Sequence, residues 1–206
     1  MDTEEPTAPR AATGRVNQKL RTRAAILRTA VELICTGRDV TMLEVAKSAL
    51  VSEATVYRHF PDLASLLLEA TAGQMPTTAE ALSSVADSAD PVERVAAATE
   101  HLLRLVLTYQ GAARAMIAAT ITRPESAGTR PGRRFELIDH ALAPLEYLLA
   151  TDPAAVTRLK HDLAVVVSAE ALFTLTDLWR LGPEEAIASV VRAATTLTRA
   201  ALSPER

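Results

Sequence analysis

The chain has 206 residues, 49% of them apolar and only 3% aromatic, with a formal net charge of −3. That length fits one or two small domains with a real core, and an Ala/Leu-rich, aromatic-poor composition favours helices packed on helices. The one cysteine, Cys35, excludes a disulfide framework. No apolar run approaches the ~18–20 residues that span a bilayer and no signal pattern opens the chain, so a cytoplasmic protein with no membrane partner is expected.

Residues 1–14, with Pro6, Pro9 and Gly14 among acidic and small residues, read as a disordered arm. The charge is unevenly divided along the chain. Residues 10–60 carry nine Lys/Arg against four Asp/Glu, whereas residues 61–206 carry thirteen against eighteen. A basic excess confined to one segment is the footprint expected of a nucleic-acid contact. From about Asn17 to Thr36 the seam Leu20, Ala24, Leu27, Val31, Ile34 predicts an amphipathic helix, stopped by Gly37. Cys35, beside Ile34, reads as a core filler. Arg15, Lys19, Arg21 and Arg23 at the start of this helix read either as a solvated helix N-terminus or as phosphate contacts. Next to the motif, Arg15 and Lys19 are taken as phosphate contacts.

The stretch from Thr41 to Phe60 predicts two short helices joined by a tight turn. Thr41 with Glu44 forms a capping box and Ser52 caps the second helix. Val45, Ala46, Val56 and Phe60 face inward. Glu53, Ala54, Thr55, Tyr57, Arg58 and His59 are left outward, a set suited to a helix pushed into a DNA groove. This is a helix-turn-helix.

The ordered string Ser52-x-x-Thr55-Val56-Tyr57-x-His59-Phe60, the Val45-Ala46 pair and the upstream helix 24–34 together resemble the DNA-binding signature of the TetR family of transcriptional regulators, over about residues 15–70. The resemblance implies that Tyr57 and His59 hydrogen-bond phosphates, with Thr41, Thr55 and Lys47 as further backbone partners. Glu53, Ala54 and Arg58 are the candidates for base edges, Arg58 being suited to guanine O6 and N7. Two positions depart from the family pattern. Leu50 stands where the family has Gly, in a turn that often takes a left-handed conformation, and Leu63 stands where it has a phosphate-binding Lys.

Pro61-Asp62 opens a fourth helix carrying Leu63, Leu66, Leu67 and Ala70, a connector broken near Pro76. A weak helical pattern spans 79–85. Clear helices follow from Pro91 to Tyr109 and from Gly111 to Thr122, then a loop over 123–132. Further helices are predicted from Arg133 to Ala150, from Pro153 to Leu181 as one long element, and from Glu184 to Leu202. Ile187, Val190, Ala194, Leu197 and Ala201 form a heptad-like seam, read as a dimer interface. A dimer would hold two recognition helices ~34 Å apart, one turn of DNA.

Polar or bulky groups within apolar helices are candidates for an effector pocket, which the resemblance places among the middle helices: His101, Tyr109, Met116, His140, Glu170 and Phe173. Glu170, in the apolar run 165–173, needs a partner if buried. The alternatives are a buried ion pair with an arginine such as Arg104 or Arg114, a dimer-interface or partly exposed position, or a ligand contact. No catalytic, metal or cofactor motif is present: no E-x-x-H pair, no clustered Cys, no G-x-S-x-G, no phosphate loop. The expected fold is all-α, with a 1–14 arm, a three-helix DNA-binding domain over 15–62, and a helical bundle over 63–206 for effector binding and dimerisation. The expected function is that of a homodimeric repressor on a palindromic operator in double-stranded DNA, responsive to an apolar small-molecule effector, with no enzymatic activity, metal or cofactor. The alternative is a helical ligand-binding or interaction protein with a vestigial DNA-binding head.

Overall fold

The computed structural model describes residues 10–36, 40–72, 74–122, 132–148 and 153–203. Among them there are helices, turns and connecting segments, with no strand. The all-α expectation holds. Residues 1–9 of the expected arm, and 123–131 of the expected loop, lie outside the described residues.

Helix α1 (Arg10–Cys35) starts before Asn17, so residues 10–14 are helical and not part of a disordered arm. Its buried face is Ile26, Ala30 and Ile34. The predicted seam lies beside this face: Leu27 and Val31 are half-buried, whereas Leu20 is 59% exposed and Ala24 is on the surface. Both stripes are apolar in sequence, and the partners that decide between them begin only beyond the first half of the helix. Cys35 is exposed, because the helix ends there with its side chain beyond the packed face.

Helices α2 (Met42–Ser48) and α3 (Glu53–His59) follow as predicted. The Thr41–Glu44 capping box is complete, with the Thr41 N–H donating to Glu44 Oε2 at 3.1 Å and the Glu44 N–H donating to Thr41 Oγ1 at 3.2 Å. The turn between them closes with the Val51 N–H donating to the Ala46 carbonyl at 3.0 Å, around Leu50 at φ 55°. That is a Schellman-type end with a leucine at the left-handed position. Val45, Ala46, Val56 and Phe60 are buried with Ile26, Ala30 and Ile34, and Leu66 and Leu67 of α4 (Leu63–Ala72) complete this head core.

The rest of the chain forms a second bundle: α5 (Thr78–Ala81), a 3-10 turn (Ser83–Val85), α6 (Pro91–Thr108), α7 (Gln110–Thr122), α8 (Arg133–Leu148), α9 (Pro153–Val166), α10 (Ala169–Phe173), a π turn (Thr174–Leu178) and α11 (Pro183–Leu202). Helix α6 is central, packed mainly on α11 and α8. The predicted long helix 153–181 is interrupted at Val167-Ser168. Ser168 adopts extended backbone and its hydroxyl accepts from the Ala171 N–H at 3.0 Å, starting a new helix. A run of three β-branched valines ending in a strong N-cap residue favours that break over continuation.

The α11 seam also has a different role from the one predicted. Ile187, Val190 and Ala194 are 3%, 4% and 0% exposed within the single chain, with Leu197 half-buried against the same core. They face α6, α9 and α10, so they are interior to the protomer and not its dimer surface. A heptad-like spacing reports one apolar face, and an intrachain neighbour fills it as well as a second copy would.

Arg94, 5% exposed, gives the body a polar centre. Its guanidinium donates to the carbonyls of Val85 (2.9 Å), Ala86 (3.3 Å), His140 (2.8 Å) and Ala141 (3.2 Å), stitching α6 to the 3-10 turn and to α8. Arg94→Met is expected to cost about 2–4 kcal/mol, read by urea denaturation, because the carbonyls it serves lose charge-assisted bonds together. Leu50→Gly is expected to raise stability by about 1 kcal/mol in the same assay, by relieving the left-handed leucine.

Candidate nucleic-acid interface and internal cavity

Helix α3 is held by its inward face and offers the other. Val56 and Phe60 anchor it in the head core, while Glu53, Ala54 and Arg58 are exposed and Tyr57 is 50% exposed. Ser52 Oγ accepts from the Thr55 N–H at 3.2 Å and lies 2.8 Å from Thr55 Oγ1. These two hydroxyls therefore define the start of the helix as well as lining its outer side. Thr41 is exposed, but its hydroxyl is engaged with Glu44 at 3.1 Å, so it acts first as the anchor of α2. Lys19 and Lys47 are exposed. The side chain of Arg15 lies outside the described residues.

His59 is half-buried, with Nδ1 buried and without a hydrogen-bond partner among the described residues. Burial, and then the positive charges of Lys19, Arg23 and Arg58, hold its pKa below the ordinary histidine value. Three cations felt at one imidazole place α1 and the end of α3 in a single positive region. Arg23 is structural within it. Its guanidinium pairs end-on, through Nη1 and Nη2, with the Glu69 carboxylate of α4 and stacks over the Phe60 ring at 4.6 Å from the centroid. Leu63 is half-buried on the head core, so this position contributes packing and no cation.

A cavity of about 330 Å³ lies where the head meets the body. Its walls come from α4 and the segment after it (Thr71, Met75), α6 (Leu102, Leu105, Val106), Tyr109, α7 (Ala112, Met116, Ile117), the first turn of α8 (Arg133, Arg134, Phe135) and the break before α10 (Ser168, Glu170). Of the residues predicted for a pocket, Tyr109, Met116 and Glu170 line it. His101, His140 and Phe173 do not. His101 is half-buried near Arg133, whose charge, after burial, lowers its pKa. His140 is exposed and meets Arg94 through its carbonyl. Phe173 is buried under the guanidinium of Arg114, 3.9 Å from the ring centroid.

Glu170 has neither of the ion-pair partners weighed for it. Arg104 binds Glu184 at 2.9 Å and Glu100, and Arg114 binds Asp177 at 2.6 Å and 2.9 Å. Glu170 Oε2 instead lies 3.8 Å from Arg134 Nη1. Sequence reasoning did not single out Arg133 and Arg134. They stand just after the predicted loop, where charge reads as a solvated helix start, and nothing in their spacing marks them as lining a cavity.

The described residues thus combine a positive helix-turn-helix head, a packed connector and a cavity behind it. Residues 26–70 match the family described as bacterial regulatory proteins, tetR family. The fold is similar to that of a TetR transcriptional regulator from Rhodococcus sp. RHA1 known from a crystal structure, at TM-score 0.52 and 24% identity, over 86% of this chain and 96% of that one. No curated protein matches. Residues 26–70 therefore carry the sequence pattern of the tetR-family DNA-binding domain, within a fold similar to that of a TetR regulator. Among the described residues no helix is long and apolar enough to cross a membrane.

The depressed pKa values carry a pH signature. The unfolded chain takes up protons at about pH 6.5, more readily than folded His59 and His101 do. Their contribution to stability is therefore complete above that value and is lost as pH falls through it toward the folded-state pKa values. The thermal midpoint is expected to fall between about pH 7 and pH 5, with a shallower slope in the His59→Gln/His101→Gln double variant.

Proposed function

We propose that the protein is a homodimeric, cytoplasmic, ligand-responsive repressor that binds a palindromic operator through α3 of each protomer. The observation that carries this reading is the two-sided construction of α3. Val56 and Phe60 fix it to the core, while Tyr57, Arg58, Glu53 and Ala54 stand outward beside the cations of α1. Tyr57 and His59 hold phosphates, with Lys19, Lys47 and Thr55 around them, and Arg58 reads a base edge. The surface for a second protomer is the part of the body where Val165, Leu178 and Trp179 are 74%, 77% and 73% exposed. Large apolar side chains left in water on neighbouring elements are what an interface covers.

Ligand response follows from the cavity's position. Thr71 lines it from α4, the helix whose Leu66 and Leu67 complete the head core, and Ala112 of α7 belongs to that core and to the cavity wall at once. An occupant that shifts α4 against α7 tilts the head. A coupling of about 1–3 kcal/mol is enough to release a dimer whose two heads hold the DNA spacing only marginally.

The test is fluorescence anisotropy on the DNA upstream of its own gene and on a duplex carrying two half-sites one turn apart. Affinity is expected to fall by orders of magnitude between about 50 and 200 mM salt. Arg58→Ala is expected to cost about 1–3 kcal/mol and to relax preference at one base position, whereas Tyr57→Phe weakens all sequences alike. The packed Leu63, with no cation to offer, favours the second reading, a ligand-binding protein with a vestigial head. Flat absence of binding at low salt would establish that reading and refute the repressor.

A further inference from the structure

The cavity has polar residues in its wall, but their hydrogen-bonding capacity is largely committed within the fold. The Thr71 hydroxyl donates to the Leu67 carbonyl at 2.8 Å, and the Thr120 hydroxyl donates to the Met116 carbonyl at 2.6 Å. The Ser168 hydroxyl donates to the Val165 carbonyl at 3.1 Å while accepting from the Ala171 N–H at 3.0 Å. Each of these hydroxyl protons is therefore taken by a nearby main-chain carbonyl. Leu102, Leu105, Val106, Met116 and Ile117 supply apolar surface beside them.

The charged residues of the wall are committed too. Arg134 Nη1 stands 3.8 Å from Glu170 Oε2, and the same guanidinium stacks on the Phe135 ring at 4.8 Å. This pair joins the first turn of α8 to the first turn of α10, so it is a fixture between two elements and not a contact inside one helix. Arg133 adds a further cation. Two of its three nitrogens, Nε and Nη2, are buried with no surface for an occupant to touch, and the third lies 4.0 Å from Glu136 Oε2. An ion entering such a cavity gives up its hydration and meets charges that are already matched, which is unfavourable for either sign.

We propose that the cavity takes a compact, uncharged, apolar molecule, and that the Arg134–Glu170 pair sets this specificity by cancelling charge at the wall. This rests on the cavity being the effector site and specifies what that site admits. A volume of about 330 Å³ lies at the small end of the ~300–1,000 Å³ usual for ligand sites, hence the limit on size. Removing either member of the pair leaves the other's charge uncompensated, and the cavity then favours an ion of the opposite sign.

The experiment is isothermal titration of the full-length protein at about pH 7 with two sets, each built on one skeleton. One set is 2-naphthol, 2-naphthoate and 2-naphthylmethylammonium; the other is 1-octanol, octanoate and octylammonium. The neutral member of at least one set is expected to bind at least about tenfold tighter than either ion. Ala113→Phe, which puts a ring into the cavity from α7, is expected to weaken that neutral compound at least about tenfold. Glu170→Gln is expected to narrow the neutral-over-carboxylate ratio to less than about threefold and to widen the neutral-over-ammonium ratio. Arg134→Gln is expected to do the reverse. A pair that merely supported the wall would move both ratios together.

An ion that binds the native protein as tightly as its neutral counterpart overturns the inference and leaves the cavity as an effector site. Ratios that stay fixed in both folded variants, or that move together, overturn it likewise. Neutral binding that survives in Ala113→Phe lies elsewhere and also overturns it. Should one variant of the pair not fold, the native comparison and the other variant decide. Binding of none of the six compounds overturns the effector site itself, and the inference with it.

Discussion

Helix α4 has to satisfy two cores at once. Leu66 and Leu67, both fully buried, close the head around Val56 and Phe60, and one turn further on Thr71 borders the cavity. Arg23 ties the same helix to α1 through Glu69, with its guanidinium over Phe60. A close-packed interior transmits displacement and does not absorb it. So a change in the cavity that moves Thr71 is felt at the helix that carries the recognition surface. The ligand response proposed for the protein passes through these ten residues.

The arginines show how one residue type serves separate ends. Arg94 is buried and solvated by main-chain carbonyls, holding the body together. Arg23 and Arg114 combine a carboxylate partner with an aromatic face, Phe60 in the head and Phe173 in the body. Arg58 is exposed on α3. Arg133 lines the cavity, its Nε and Nη2 buried and without an acceptor among the described residues. The formal charge of the chain says nothing of this division. The division follows from whether each guanidinium finds carbonyls, a carboxylate or water.

Local signals in the sequence were legible where one or two side chains decide the backbone. The Thr41–Glu44 box, the Ser52 cap and the Asp90-Pro91 start were all readable, because capping chemistry acts over a few residues, whereas the left-handed turn at Leu50 was expected only from the family resemblance. The inward set Val45, Ala46, Val56, Phe60 was readable for the same reason, once the two short helices were placed. Failures came where the partner is distant. Nothing in α1 reveals that Ile26 and Ala30, and not Leu20 and Ala24, meet α4. Nothing in α11 tells an intrachain face from an interface. Arg94 and Arg133 look alike in sequence, as charged residues near helix starts. Only long-range packing separates a structural cation from one at a cavity, and for that reason the sequence could not tell which candidates share a cavity: Tyr109, Met116 and Glu170 line one, whereas His101, His140 and Phe173 stand elsewhere.

The π turn at Thr174–Leu178 has a bearing on how this surface can vary. Its wide loop, closed by the Trp179 N–H on the Thr174 carbonyl at 3.3 Å, holds one more residue than an α-helical turn would. That extra residue sets the phase of everything after it, so Leu178 and Trp179 point into solvent and the chain must leave through Arg180 at φ 60°. Deleting a single residue there would let the helix run on in ordinary register and swing the indole to another side. The number of residues in this stretch therefore decides which side of the body Leu178 and Trp179 occupy.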